Sequence, residues 1–244
     1  MDFYSKAADG KVDTGNFKHD LAPVLPTCSR SRSLNAVYVH VPRAASSAIR
    51  GSLMDHYPKV DFSACKDMSL APSQPPPYAF TFVRDPMARA HSAFVESLRR
   101  LPRASTKLSA DMVGKHIDAW LDELEEGIPD RPLWQHVVPQ SFYLTAPGML
   151  SRFGTVAFIG QVEAMDEHFK LLLQSLGAAP HPPEGGYRCC ATPRARAIDR
   201  LVRQALVWRP RAARLCQVYA QDYACLGYAV PQNCKEALRG GDGA

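Results

Sequence analysis

No apolar run in this chain approaches the 18 or more residues needed to cross a bilayer as a helix. The opening residues, MDFYSKAADGKVD, lack the apolar centre of a secretory leader. Both absences fit a soluble chain as it stands, and a longer form carrying an anchor would be compatible with them. Cysteine is not scarce, at seven, but Cys28, Cys65, Cys189, Cys190, Cys216, Cys225 and Cys234 form no CxxC pair and no zinc-finger spacing. An odd number leaves at least one thiol free or paired outside the chain. The five toward the C-terminus suit disulfides in an oxidising lumen or thiols in the cytosol, so composition leaves the compartment open. Also missing are an Asn-x-Ser/Thr acceptor, a GxxxxGK[ST] phosphate loop, a set of clustered metal ligands and any internal repeat. No acidic pair suited to Mg²⁺ follows a strand-like run, which weighs against a kinase.

What is present is ordinary in amount. At 244 residues, 46% hydrophobic and 22% charged, the chain suits one sizeable α/β domain. The net charge of +5 favours anionic ligands. It falls short of the dense basic stripe of a nucleic-acid binder.

The most informative stretch is Tyr78 to Phe94, YAFTFVRDPMARAHSAF. Tyr78–Val83 is a short aromatic and β-branched run, predicted to be a buried strand. Asp85 is suited to cap a helix and Pro86 to begin one. Arg84 is thereby placed at the carboxyl edge of a strand, where open α/β sheets bind ligands. Ser92 lies about two helical turns further on, so one phosphate could meet both its hydroxyl and the Arg84 guanidinium. An arginine salt-bridged to a neighbouring loop fits the same residues.

Earlier in the chain, Leu34–Val41 is predicted as a strand running into Pro42-Arg43-Ala44-Ala45-Ser46-Ser47 and then a helix. Small side chains let backbone N–H groups approach an anion, while Arg43, Ser46 and Ser47 add a cation and hydroxyls. A plain serine-capped turn fits as well. Further elements are a short strand in Lys59–Ala64 and an amphipathic helix over Ser109–Glu126. That helix puts Met112, Ile117, Trp120, Leu121 and Leu124 on its apolar side. A strand follows over Thr155–Gly160, then a helix over Glu163–Leu176. Thr192–Tyr228 reads as two helices split near Trp208-Arg209-Pro210. Residues 1–33 read as a loosely docked arm, 34–230 as the folded domain and 231–244 as a frayed tail.

Taken together and in order, four segments resemble motifs of the carbohydrate sulfotransferases, in particular the chondroitin, dermatan and HNK-1 branch. VHVPRAASSAIR is similar to that family's 5′-phosphosulfate loop, FTFVRDPMARAHSAF to its RDPxxRxxSxF 3′-phosphate motif. QHVVPQSFYL resembles its HWxPQ segment and VYAQDYACLGY its closing YxxDYxxxGY signature. The resemblance runs from about Val37 to Tyr228. It implies a P-loop-like three-layer α/β fold, with a central parallel sheet flanked by helices. It also implies 3′-phosphoadenosine 5′-phosphosulfate as co-substrate, no metal, a glycan or other hydroxyl-bearing acceptor, and the Golgi lumen.

On this resemblance Arg84 and Ser92 hold the 3′-phosphate, while Arg43 and the Ala44, Ala45, Ser46 and Ser47 turn hold the 5′-phosphosulfate. Arg89, one turn inside the helix, either supports the site or covers the helix surface. The family has lysine where this chain has Arg43, next to a glycine where it has Ala44-Ala45. Arginine brings a fork of donors but no readily released proton, so Arg43 would act electrostatically. For the acceptor proton the family uses histidine or glutamate. His56, Asp61 and Asp67 lie between the two phosphate motifs, and His136 is the preferred candidate. His40 is expected to be structural, and His91 to face away from Ser92. Acceptor contacts are expected in Leu101–Lys107 and Ala178–Arg188. Two other readings stay open: a catalytically weak module binding nucleotide or sulfated glycan on the same fold, and a small-molecule kinase.

Overall fold

The computed structural model describes residues 28–56, 62–65, 77–100, 108–126, 134–145, 155–178 and 192–239. Residues 1–27 of the expected arm, Asp61, Asp67, Leu101–Lys107, most of Ala178–Arg188, Cys189 and Cys190 lie outside them. In chain order the first elements are β1 (Cys28–Ser31), β2 (Ala36–Val39), α1 (Ser46–His56), β3 (Ser63–Ala64) and β4 (Tyr78–Val83). Then come α2 (Pro86–Arg100), α3 (Ala110–Glu126), α4 (Gln140–Thr145), β5 (Phe158–Gln161) and α5 (Met165–Ser175). Last are α6 (Pro193–Leu206), α7 (Arg209–Val218), α8 (Ala220–Cys225) and α9 (Gln232–Arg239). The chain is α/β and divides into two compact units.

The first unit draws on residues 22–85 and 142–187. Its sheet has the order β3-β1-β2-β4-β5. Strands β2, β4 and β5 run parallel, while β1 runs antiparallel to both β2 and β3. The sheet is therefore mixed, where an all-parallel one was expected. It also begins six residues earlier than the sequence suggested, at Cys28 rather than Leu34. A tight turn explains the early start. Asn35 adopts φ +44, its N–H donates to the Arg32 carbonyl, and the Leu34 N–H donates to Ser31 Oγ. Asparagine tolerates that left-handed backbone. A disulfide from Cys28 to Cys65, closing 37 residues, fastens β1 beside β3.

One face of the sheet carries Tyr38, Phe80 and Phe82, packed with Ile49 and Leu53 of α1 and Phe169, Leu172 and Leu173 of α5. Gly160 faces Phe82 across the β4–β5 pair. A Cβ there would come under 3.0 Å from three ring atoms of Phe82, so the ring occupies the space that a larger residue would need. The opposite face carries Val37, Val39 and Ala79, with Cys28 and Cys65 against them.

The second unit draws on residues 1–21, 86–141 and 188–244 and is helical in its described residues. Its core joins Phe94 and Leu98 of α2 to Ile117, Trp120 and Leu124 of α3 and to Ile198, Val202 and Leu215 of α6 and α7. Met112, expected on the apolar side of α3, is 41% exposed. Arg211 and Arg214 of α7 bind Asp118, Asp122 and Glu125 of α3, and Gly114 leaves room for the Arg211 guanidinium. The sequence 192–228 forms three helices rather than two, because the chain turns again at Tyr219. Of the tail, Gln232–Arg239 is helical. In α9, Cys234 is fully buried and bonded to Cys216 of α7. By loop closure the two disulfides are each worth roughly 3 to 4 kcal/mol.

Candidate functional site

The first unit positions Arg43 and Arg84 by strand direction. Val39 pairs with Thr81 in the parallel β2–β4 ladder, and Val83 pairs with Gln161 in β4–β5. The chain segments leaving these strands therefore emerge at one edge of the sheet. After β2 comes the Pro42–Ser47 turn, after β4 come Arg84 and Asp85, and after β5 comes Glu163. Arg43 and Arg84 are both half-buried.

Backbone strain singles out the turn after β2. Arg43 has φ +67 and Ala45 φ +56, and the intervening Ala44 keeps a negative φ. Left-handed backbone costs a residue with a Cβ about 1–2 kcal/mol, and this turn adopts it twice in three residues. Alternating handedness curls successive N–H groups toward one concave side, the geometry that receives anions. Other contacts hold the curl in place. The Ala44 N–H donates to the Val41 carbonyl at 3.2 Å, Ser46 Oγ donates to the same carbonyl at 2.6 Å, and the Ile49 N–H donates to Ala45 at 3.0 Å. Ser46 thus spends its proton inside the turn, whereas Ser47 is exposed. The positive φ at Ala45 is where a glycine would be at ease.

A second cation, Arg50, acts on the residues beside the turn. His40, hydrogen-bonded to Ser29 at 2.9 Å, has its pKa lowered to about 4 by burial and then by the nearby Arg50 guanidinium. Burial pushes the Tyr38 hydroxyl above its usual range, with Ser46 and Arg50 opposing. On the far side of β4, Glu163 Oε1 accepts the Asp85 N–H at 2.8 Å, and His168 Nδ1 accepts the Gln161 N–H at 2.8 Å. These two bonds hold the backbone next to Arg84.

The structure thus brings Arg43, Ala44, Ala45, Ser46, Ser47 and Arg84 to one sheet edge. Ser92 and His136 belong to the other unit. Ser92 is buried on α2. His136 is half-buried at the end of a 3-10 turn, Trp134–His136, just before α4. His91 points at Asp199, 3.2 Å away. Arg89 does not cover the helix surface: it is fully buried and donates to the Val138 carbonyl at 2.7 Å. Asp222, also fully buried, accepts the N–H groups of Gln140 at 2.9 Å and Ser141 at 2.8 Å. Burial raises its pKa, opposed first by the charge of Arg89.

Sequence reasoning passed over Arg50, Glu163, Tyr219 and Asp222. The last two stood in the VYAQDY segment, which named them without showing what they hold. Among the described residues no group of three or more His, Cys, Asp and Glu could hold a metal ion, and no helix is long and apolar enough to cross a membrane. Comparison with protein-family models, curated proteins and solved structures found no match for the chain.

Proposed function

We propose that this protein is a sulfotransferase moving a sulfuryl group from 3′-phosphoadenosine 5′-phosphosulfate to an acceptor hydroxyl, on a glycan in the first instance. One observation carries the proposal. Two arginines follow adjacent parallel strands, and one of them sits in a strained, alternately handed turn that opens a helix with no acidic residue in its first turn. Such an edge suits a ligand with two separated anionic groups. The order of the four sulfotransferase-like segments says which ligand, and with it comes the P-loop-like class of the fold.

In this scheme the curled backbone of Ala45–Ser47 and the Arg43 guanidinium bind the 5′-phosphosulfate and stabilise charge on the leaving phosphate oxygen, while the Ala44 N–H is held by the Val41 carbonyl. Arg84 binds the 3′-phosphate, with Ser92 assigned to it by the motif. His136 takes the acceptor proton. Catalysis of this kind comes from positioning and charge stabilisation during in-line displacement. Two disulfides support an oxidising compartment such as the Golgi lumen.

Arg43 and Ala45, standing where the family has lysine and glycine, favour a second reading, a donor-binding protein with weakened catalysis. One assay separates the readings. Protein is mixed with donor and a panel of glycans, and release of adenosine 3′,5′-bisphosphate is followed. Turnover is the expected result. Tight donor binding without turnover on any acceptor would favour the binder, preference for ATP a kinase, and absence of bisphosphate affinity would remove both nucleotide-sulfate readings. Arg43→Lys should raise turnover or leave it unchanged; near-complete loss would mean the turn is built around a guanidinium.

A further inference from the structure

We infer that Arg89, Tyr219 and Asp222 are positioning residues that clamp the backbone of Val137–Ser141 and so set the His136 imidazole, an inference that rests on the sulfotransferase reading. Three side chains serve four backbone groups of this short segment. Tyr219, at the α7–α8 junction, donates its hydroxyl to the Val137 carbonyl at 2.6 Å. Arg89 of α2 donates to the Val138 carbonyl at 2.7 Å. Asp222 of α8 accepts the N–H groups of Gln140 and Ser141. Pro139, between them, has no N–H to satisfy. All three side chains are fully buried.

Stability alone is a poor reason for this arrangement. Withdrawing a guanidinium and a carboxylate from water carries a large desolvation penalty, and apolar residues of equal volume commonly hold a core as well or better. What charged, directional groups add is a single permitted backbone path. That path begins immediately after His136. The same helix, α2, carries Arg89 and Ser92 three residues apart, so the segment with the proposed base is tied to the helix with a proposed donor contact. Three of the four family-like segments thereby meet in one buried cluster of the second unit.

Tyr219→Phe tests the clamp most gently, since it deletes one hydroxyl and keeps the ring. The variant should fold, bind adenosine 3′,5′-bisphosphate within about twofold of wild type, and lose about tenfold or more in kcat with donor KM unchanged, because small misplacements of a reacting group cost that much. In combination with His136→Asn it should be no slower than His136→Asn alone, because both act through one imidazole. Arg89→Lys, which keeps a charge and a donor, is read in the same way. A folded Tyr219→Phe with unchanged kcat, or losses that multiply in the double variant, would overturn the proposal. So would weakened bisphosphate binding, which would move the role to the donor side, and so would failure of both variants to fold. These results concern the clamp while wild type turns over; a wild type that transfers to no acceptor removes the reading beneath it as well.

Discussion

Helices α1 and α4 each begin with backbone N–H groups that no helical carbonyl can reach, and each therefore presents a partial positive charge. Neither has an acidic residue in its first turn. In the helical unit the gap is filled from within: Asp222, 82 residues away in sequence, is buried against the first N–H groups of α4. In the sheet unit the start of α1 meets a strained turn bearing Arg43, within the field of Arg50. One start has the protein's own carboxylate, and the other lies beside Arg43 and Arg50. On the proposed reading, the contrast separates a helix start used for construction from one that receives an anion from solution.

The largest effect should come from the built-in carboxylate. Asp222→Ala would leave Arg89 buried without its compensating charge and uncap α4, a loss of about 3–5 kcal/mol. Thermal unfolding should move down by about 6 °C or more, and phosphate or sulfate in the buffer should not restore it. Restoration by either ion would mean that the α4 start also accepts outside anions, and the contrast would fail. Arg84→Ala should do the opposite. Charge-assisted hydrogen bonds are worth about 1.5–3 kcal/mol each. Calorimetry should therefore show adenosine 3′,5′-bisphosphate bound about a hundredfold more weakly. Binding of 5′-AMP should change far less. Equal losses for both nucleotides would deny Arg84 its 3′-phosphate.

Much of this arrangement was legible in the residues, and the unread part has a common cause. Tyr78–Val83 and the start at Pro86 were readable because apolar run, cap and proline are adjacent in sequence. Arg43 and Arg84 were readable for the same reason, each lying where a strand pattern stops. The strand at Cys28–Ser31 was not: CSRS has no apolar signature, and it exists through pairing with β2 and β3 and through the disulfide to Cys65. The α9 helix likewise depends on Cys216. Glu163 on Asp85 and Asp222 on Gln140 bridge 78 and 82 residues, distances over which a periodic pattern carries no information. Local chemistry announced where strands end and helices begin, whereas the supports reached through tertiary contact stayed silent.

The strain in the α1 turn can be isolated with two neighbouring alanines. Ala44 and Ala45 are both buried, but only Ala45 has positive φ. Replacing either with glycine removes one methyl and adds similar freedom to the unfolded chain. The Ala45→Gly protein should nonetheless be the more stable of the two by about 1–2 kcal/mol, because it alone sheds left-handed strain. Equal denaturation midpoints would show that the turn stores no such strain, and the α1 start would become an ordinary one.

The finest probe is His40, whose ring lies at the end of β2 beside the turn. Its folded-state pKa of about 4 lies below the ordinary 6.5, so the fold favours the neutral imidazole. The resulting stability is fully present above pH 6.5 and drains away as pH falls toward 4, since the unfolded chain takes up the proton first. Between the ordinary pKa of 6.5 and roughly one unit below it the loss should be about 1 kcal/mol, and a His40→Gln protein should lack that slope. Imidazole resonances followed by NMR would place the midpoint directly. Because part of the depression comes from the charge of Arg50, an anion held in the turn should offset that charge and move the midpoint upward. Adenosine 3′,5′-bisphosphate should therefore raise the His40 midpoint, and an unmoved midpoint at saturating nucleotide would place the bound phosphates away from α1.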